Sequence, residues 1–130
     1  MTEQNKRLSR SAEDYLEAIG HLCNLHGQAQ VSDIAERLGV KKPSVTAAMR
    51  QLAGEGLIEY RQYAPIRLTP KGQEYAQSVI NAHHILQHFM QEIVGLPPER
   101  ADETACMMEH ILTYEEIRAI GLKLGLRDKL

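Results

Sequence analysis

The stretch TACMMEHILTYEE, residues 104–116, carries a thiol, a carboxylate and an imidazole at Cys106, Glu109 and His110. Offsets of three and four place side chains on one face of a helix. Two carboxylates with the same spacing, Asp14 and Glu17, lie in EDYLE, and NAHHILQHF adds His83, His84 and His88. Carboxylate, imidazole and thiolate together are the donors of a mixed oxygen, nitrogen and sulfur site for a divalent transition ion. Each residue also has a plainer reading. Asp14 favours the positive start of a helix, Cys106 is a small core residue, and His84 and His88 fit a solvated face.

The elements that would have to position these groups are read from periodicity. From about Ser11 to His26, apolar Tyr15, Ile19, Leu22 and Cys23 give one helical face, with Ser11 expected as the N-cap and Gly27 as the break. VSDIAERLG reads as a two-turn helix capped by Ser32 or Asp33 and stopped at Gly39. After a tight turn, Pro43 fits the first turn of a third helix whose Val45, Met49 and Leu52 face inward. Two strand-like runs, LIEYRQY and PIRLTP, follow as a hairpin. This order predicts an N-terminal winged helix-turn-helix with a small β-hairpin wing over residues 1–72.

Packing the third helix through Val45, Met49 and Leu52 leaves its opposite face for a DNA major groove. That face offers Lys42, Pro43, Ser44, Thr46, Ala47 and Arg50, with Arg37 and Lys41 just before it and Arg61 and Arg67 on the wing. The net charge of −2 hides an asymmetry. Residues 37–71 hold seven Lys/Arg against two Asp/Glu, whereas residues 73–130 hold five against nine. A basic segment of this kind suits a polyanionic partner.

Residues 73–130 read as all-helical, making the whole chain mainly α. A long helix from about Gln73 to Val94 carries Val79, Ile80, Leu86, Phe89, Met90 and Ile93 and is stopped before Pro97 and Pro98. ADETACMMEHIL and YEEIRAIGLKLGL read as two further helices, the last with Ile117, Ile120, Leu122 and Leu124. A helix-turn-helix protein reads two half-sites as a symmetric dimer, so this lobe is expected to pair subunits on a palindromic operator. The alternative is that the stripe only closes its own core.

Other classes find less support. No apolar run reaches the ~20 residues of a membrane helix, and the polar start lacks the apolar core of a signal peptide, so no membrane role and a cytoplasmic location are expected. The two cysteines, Cys23 and Cys106, lie in separate segments and read as free thiols or ligands. Carboxylates and imidazoles around an ion also activate water, but there is no nucleophile elbow, phosphate-cradling glycine loop or two-histidine metalloprotease motif. The chain is not read as an enzyme.

AEDYLEAI, VSDIAERLGVKKPSVTAAMRQLAGEGLI, LTPKGQEYA, HHILQHFMQEIVGL and EHIL resemble, in order and spacing, the diphtheria toxin repressor family of metal-dependent transcriptional regulators. The likeness is greatest to its shorter manganese-sensing branch, without the SH3-like domain of longer members. The resemblance implies that Asp14, Glu17, His83, Glu109 and His110 are metal ligands. It also implies a helical dimerisation and metal-binding domain over residues 73–130, and repression of metal-uptake genes when the ion is plentiful.

Two positions depart from that branch. Cys106 stands where it has glutamate and is similar to the iron-sensing branch, whereas Asp14 stands where the iron-sensing branch has methionine. Of the iron branch's accessory site, His83 is present but Gln87 replaces a carboxylate. The ion expected is Fe(II) or Mn(II), with thiolate at Cys106 also admitting Co(II) or Zn(II), unless that residue binds through its carbonyl. Metal and operator would then each strengthen the other's binding. The rival reading is a winged-helix regulator that is constitutive or senses a non-metal signal.

Overall fold

The computed structural model describes residues 7–125. It is mainly helical, with one small antiparallel hairpin, in the order α1 Arg10–His26, α2 Val31–Leu38, α3 Lys42–Gly54, β1 Ile58–Glu59, β2 Arg67–Leu68, α4 Pro70–Phe89, a π-helical turn Met90–Val94, α5 Pro98–Met108 and α6 Tyr114–Lys123. The chain divides into two compact units between Ala76 and Gln77, within α4.

In the first unit, α1 to α3 and the hairpin enclose one core. Leu16, Ile19, Ile34, Val45, Met49, Leu52 and Ile66 are fully buried in it. The inward stripe expected for α3 is thus present. Two caps differ from expectation. Ser9, not Ser11, caps α1: its Oγ accepts from Ala12 N at 3.1 Å, and Ser11 is exposed one position inside the helix. Neither Ser32 nor Asp33 caps α2, which starts at Val31 after Gln30 with no side-chain cap bond. The cause lies in the backbone. Ala29 and Ile66 exchange hydrogen bonds of 2.9 and 2.7 Å, holding the chain extended up to Gln30, whose carbonyl then accepts from Ile34 N at 3.1 Å.

The same exchange shortens the wing. Ile58 pairs with Leu68 and Glu59 with Arg67, but Ile66 turns its backbone to Ala29 instead of extending the ladder. The return strand passes directly into α4, which begins at Pro70 and not near Gln73. Thr69 makes that junction. Its Oγ1 accepts from Gly72 N at 3.0 Å, capping the helix, and donates to Gly56 O at 2.7 Å. Gly72 is packed so closely that a Cβ there would sit 1.7 Å from Leu57 O.

In the second unit, Ala82, Ile85 and Leu86 of α4 pack with Ala105 of α5 and Ile117 of α6. Gly121 lies against Ile85, where a Cβ would come within 3.1 Å of Cδ1. The helical run reaches Val94 as expected, but not as one uniform α-helix. Its last turn loosens to π geometry and ends at Gly95 (φ 86°), leaving Ile93 exposed rather than inward. Pro98 opens α5 instead of only ending α4, its missing amide hydrogen being no loss at a helix start. That helix stops at Met108, so His110 to Leu112 are not helical as read from the sequence. Bonds tighten from His110 N to Met107 O and from Ile111 N to Met108 O. Thr113 then starts α6 with a capping box: it accepts from Glu116 N at 3.0 Å while Glu116 Oε1 accepts from Thr113 N at 2.9 Å. Within α6, Ile117 is buried and Leu122 exposed. Leu126, at the end of the expected last helix, lies outside the described residues.

Candidate functional site

In the first unit, α1 carries Asp14 and Glu17 one turn apart, both half-buried. Glu17 Oε2 lies 3.7 Å from His21 Nε2, one further turn along. The neighbouring Glu13, not singled out in the sequence, is the more deeply buried acid. Its side chain is 1% exposed and takes a two-pronged contact from Arg7, Nη2 to Oε1 at 2.8 Å and Nε to Oε2 at 3.1 Å. The Tyr75 hydroxyl donates to Glu13 Oε2 at 2.8 Å and accepts from Leu8 N at 2.9 Å. Burial, followed by the Glu13 carboxylate, pushes the Tyr75 phenol up to about 12. Glu13 stands at spacings of three and seven from Leu16 and Gly20, both buried, so a charge inside an apolar stripe was the available signal.

In the second unit, α4 and the end of α5 converge. His83 Nδ1 lies 2.7 Å from Glu109 Oε1, and its Nε2 lies 2.7 Å from Asp102 Oδ1. Glu109 is 1% exposed, whereas the Asp102 side chain is 61% exposed. Cys106 and His110, offset by four, bring the sulfur and a ring nitrogen within 4.8 Å of each other. Asp102 was passed over in the sequence, although it precedes Cys106 by four residues and Glu109 by seven, the spacing of one helical face. His84 and His88 are both exposed on α4. Nitrogen, carboxylate oxygen and thiol sulfur gathered on α4, α5 and the turn that follows α5 fit a borderline-soft divalent transition ion better than a hard ion such as Ca(II), which takes oxygen ligands.

The expected DNA face is open. Lys41, Lys42, Pro43, Ser44, Ala47 and Arg50 are exposed and Thr46 is half-buried, opposite fully buried Val45, Met49 and Leu52. Arg37 is exposed on α2, and Arg61 and Arg67 are exposed on the wing. Arg67 Nη2 donates to Gln28 Oε1 at 3.2 Å, and Lys71 Nζ to Glu55 O at 3.2 Å, so both cations are held near the wing's base. No helix among the described residues is long and apolar enough to cross a membrane.

Comparison with known proteins follows this division. Residues 7–65 match the family model for the iron dependent repressor N-terminal DNA binding domain, and residues 69–128 match that for the iron dependent repressor metal binding and dimerisation domain. The chain is 36% identical over 111 residues to the HTH-type transcriptional regulator MntR of Bacillus pumilus, covering 85% of this chain and 76% of the relative. It is also 36% identical over 110 residues to the transcriptional regulator MntR of Escherichia coli O157:H7, covering 85% of this chain and 70% of the relative. Among solved structures, T. acidophilum IdeR gives a TM-score of 0.76 at 31% identity, covering 92% of this chain. A manganese-dependent transcriptional repressor in complex with manganese gives a TM-score of 0.77 at 25% identity, covering 88% of this chain and 53% of that one. The chain spans 55% of the length of the IdeR chain it matches. With family models matching both of its parts, the chain belongs to the iron-dependent repressor family.

Proposed function

We propose that this protein is a cytoplasmic, homodimeric repressor that binds a palindromic DNA operator when loaded with Fe(II) or Mn(II), and so controls genes of metal-ion uptake and homeostasis. Residues 1–72 are the DNA-binding domain and 73–130 the dimerisation and metal-binding domain. Asp14, Glu17, His83, Cys106, Glu109 and His110 are the metal ligands. The observation that carries the reading is the donor cluster of the second unit, a buried carboxylate on an imidazole beside a paired thiol and imidazole, inside the stretch matched to a metal binding domain. The ion supplies a fixed positive charge that ties its donors into one geometry. An ion that binds better to the DNA-competent form shifts the protein toward that form. Lys42, Ser44, Thr46, Ala47 and Arg50 read base edges and Arg37, Lys41, Pro43, Arg61 and Arg67 meet the sugar-phosphate backbone.

The test is anaerobic fluorescence anisotropy on DNA from upstream of neighbouring transporter genes, at fixed ionic strength, in chelator and then in Mn(II), Fe(II) or Zn(II). Tight binding only with metal is the expected result. Equal binding in chelator overturns the sensor and leaves a constitutive DNA-binding protein.

A further inference from the structure

The tip of the wing holds a residue that local backbone preference disfavours. Ala64 N donates to Arg61 O at 3.0 Å, closing a four-residue turn in which Tyr63 is the third residue, with φ 67°. Glycine or asparagine fits that position without strain, because a larger L side chain crowds the following carbonyl. Every other positive-φ position among the described residues is a glycine. Tyr63 is also 97% exposed, so no packing within the protein compensates for the conformation.

Its surroundings indicate what the ring meets. Arg61 opens the same turn, and exposed Arg67 stands on the returning strand. The base below is fixed by the Ile58–Leu68 pairing and by fully buried Ile66 bonded to Ala29. A phenol ring is therefore displayed on a firm base, in the same turn as exposed Arg61. Its apolar face suits a deoxyribose and its hydroxyl suits a phosphate oxygen. Resting on the DNA-binding reading above, the geometry points to Tyr63 as a wing-tip DNA contact, its ring against a sugar at the edge of the minor groove and its hydroxyl donating to the adjoining phosphate. The contact carries no charge and reads no base, so it acts on all duplexes alike.

The experiment uses the full chain with Y63G, Y63N and Y63F, a fluorescein-labelled mixed-sequence duplex at low salt, and the metal condition in which the wild type binds best. Y63G and Y63N are expected to unfold at temperatures no lower than the wild type, since both relieve the turn. They are expected to bind about tenfold more weakly, the scale of one aromatic contact with its hydrogen bond. The dependence on salt should stay unchanged, because no cation is lost. Y63F should fall between, keeping the ring without the hydroxyl. Folded Y63G and Y63N that bind within about twofold of the wild type would overturn the contact alone. A marked drop in unfolding temperature for both would make Tyr63 structural and likewise overturn it. A wild type that binds no duplex under any metal condition would overturn the DNA-binding reading and this contact with it.

Discussion

His83 bridges two carboxylates, with Nδ1 2.7 Å from buried Glu109 and Nε2 2.7 Å from exposed Asp102. A ring nitrogen donates to a carboxylate only while it carries its hydrogen, and it ligates an ion only after giving that hydrogen up. Metal loading at the proposed ligand His83 would therefore exchange one of these contacts for a metal bond. Glu109→Gln keeps the shape beside His83 and removes the charge. The expected outcome is a folded dimer by circular dichroism and sedimentation whose metal affinity falls by at least about 100-fold in a competition titration. His110→Ala should behave alike. Either variant responding normally to metal would remove that residue from the ligand set.

As a proposed ligand, Cys106 is expected to set the preference among ions. Thiolate favours softer ions than carboxylate does, so Cys106→Glu should lower affinity for Co(II) and Zn(II) and raise relative affinity for Mn(II). Competition between Co(II) and Mn(II), followed by the visible absorption of bound Co(II), measures the ratio. An unchanged ratio, with the Co(II) spectrum also unchanged, would mean that Cys106 does not bind through sulfur.

Gly72→Ala tests the junction between wing and α4. The added Cβ would meet backbone, 1.7 Å from Leu57 O, and backbone cannot swing aside as a side chain does. A loss of roughly 2–4 kcal/mol in urea unfolding is expected, at the upper end for overpacking. A loss below about 0.5 kcal/mol, the range of ordinary surface changes, would show that the junction shifts freely.

Tyr75 links stability to alkaline pH. Its ordinary value is 10.0 and the folded chain raises it to about 12, so the folded state favours the protonated phenol. That contribution is complete below pH 10 and is lost as pH rises through about 12. Urea midpoints measured from pH 9 to 12 should fall more steeply for the wild type than for Tyr75→Phe. Parallel curves would mean that the phenol is not held by burial and Glu13.

Much of this was legible in the sequence, because helical periodicity is a local property. The buried stripe of Val45, Met49 and Leu52, the left-handed stops at Gly27 and Gly39, and the order of helices and hairpin all follow from neighbours along the chain. Features set by distant partners were harder to read. The start of α2 depends on Ala29 pairing with Ile66, and the start of α4 on Thr69 reaching Gly56. At the metal-binding candidates, residue type and spacing singled out His83, Cys106, Glu109 and His110. Asp102 and Glu13 were missed because each is defined by a partner far along the chain, His83 and Tyr75. Tyr63 was missed because its backbone conformation has no signature in composition.

Metal and DNA are expected to strengthen each other's binding through one linked equilibrium. The most direct measurement is Mn(II) affinity by competition with a fluorescent chelator, with and without saturating operator DNA, alongside DNA affinity with and without Mn(II). Linkage requires the two ratios to be equal, and they are expected to lie in the range of about 5- to 150-fold. A Mn(II) affinity that stays the same when operator is added would contradict the account, however tightly each ligand binds alone.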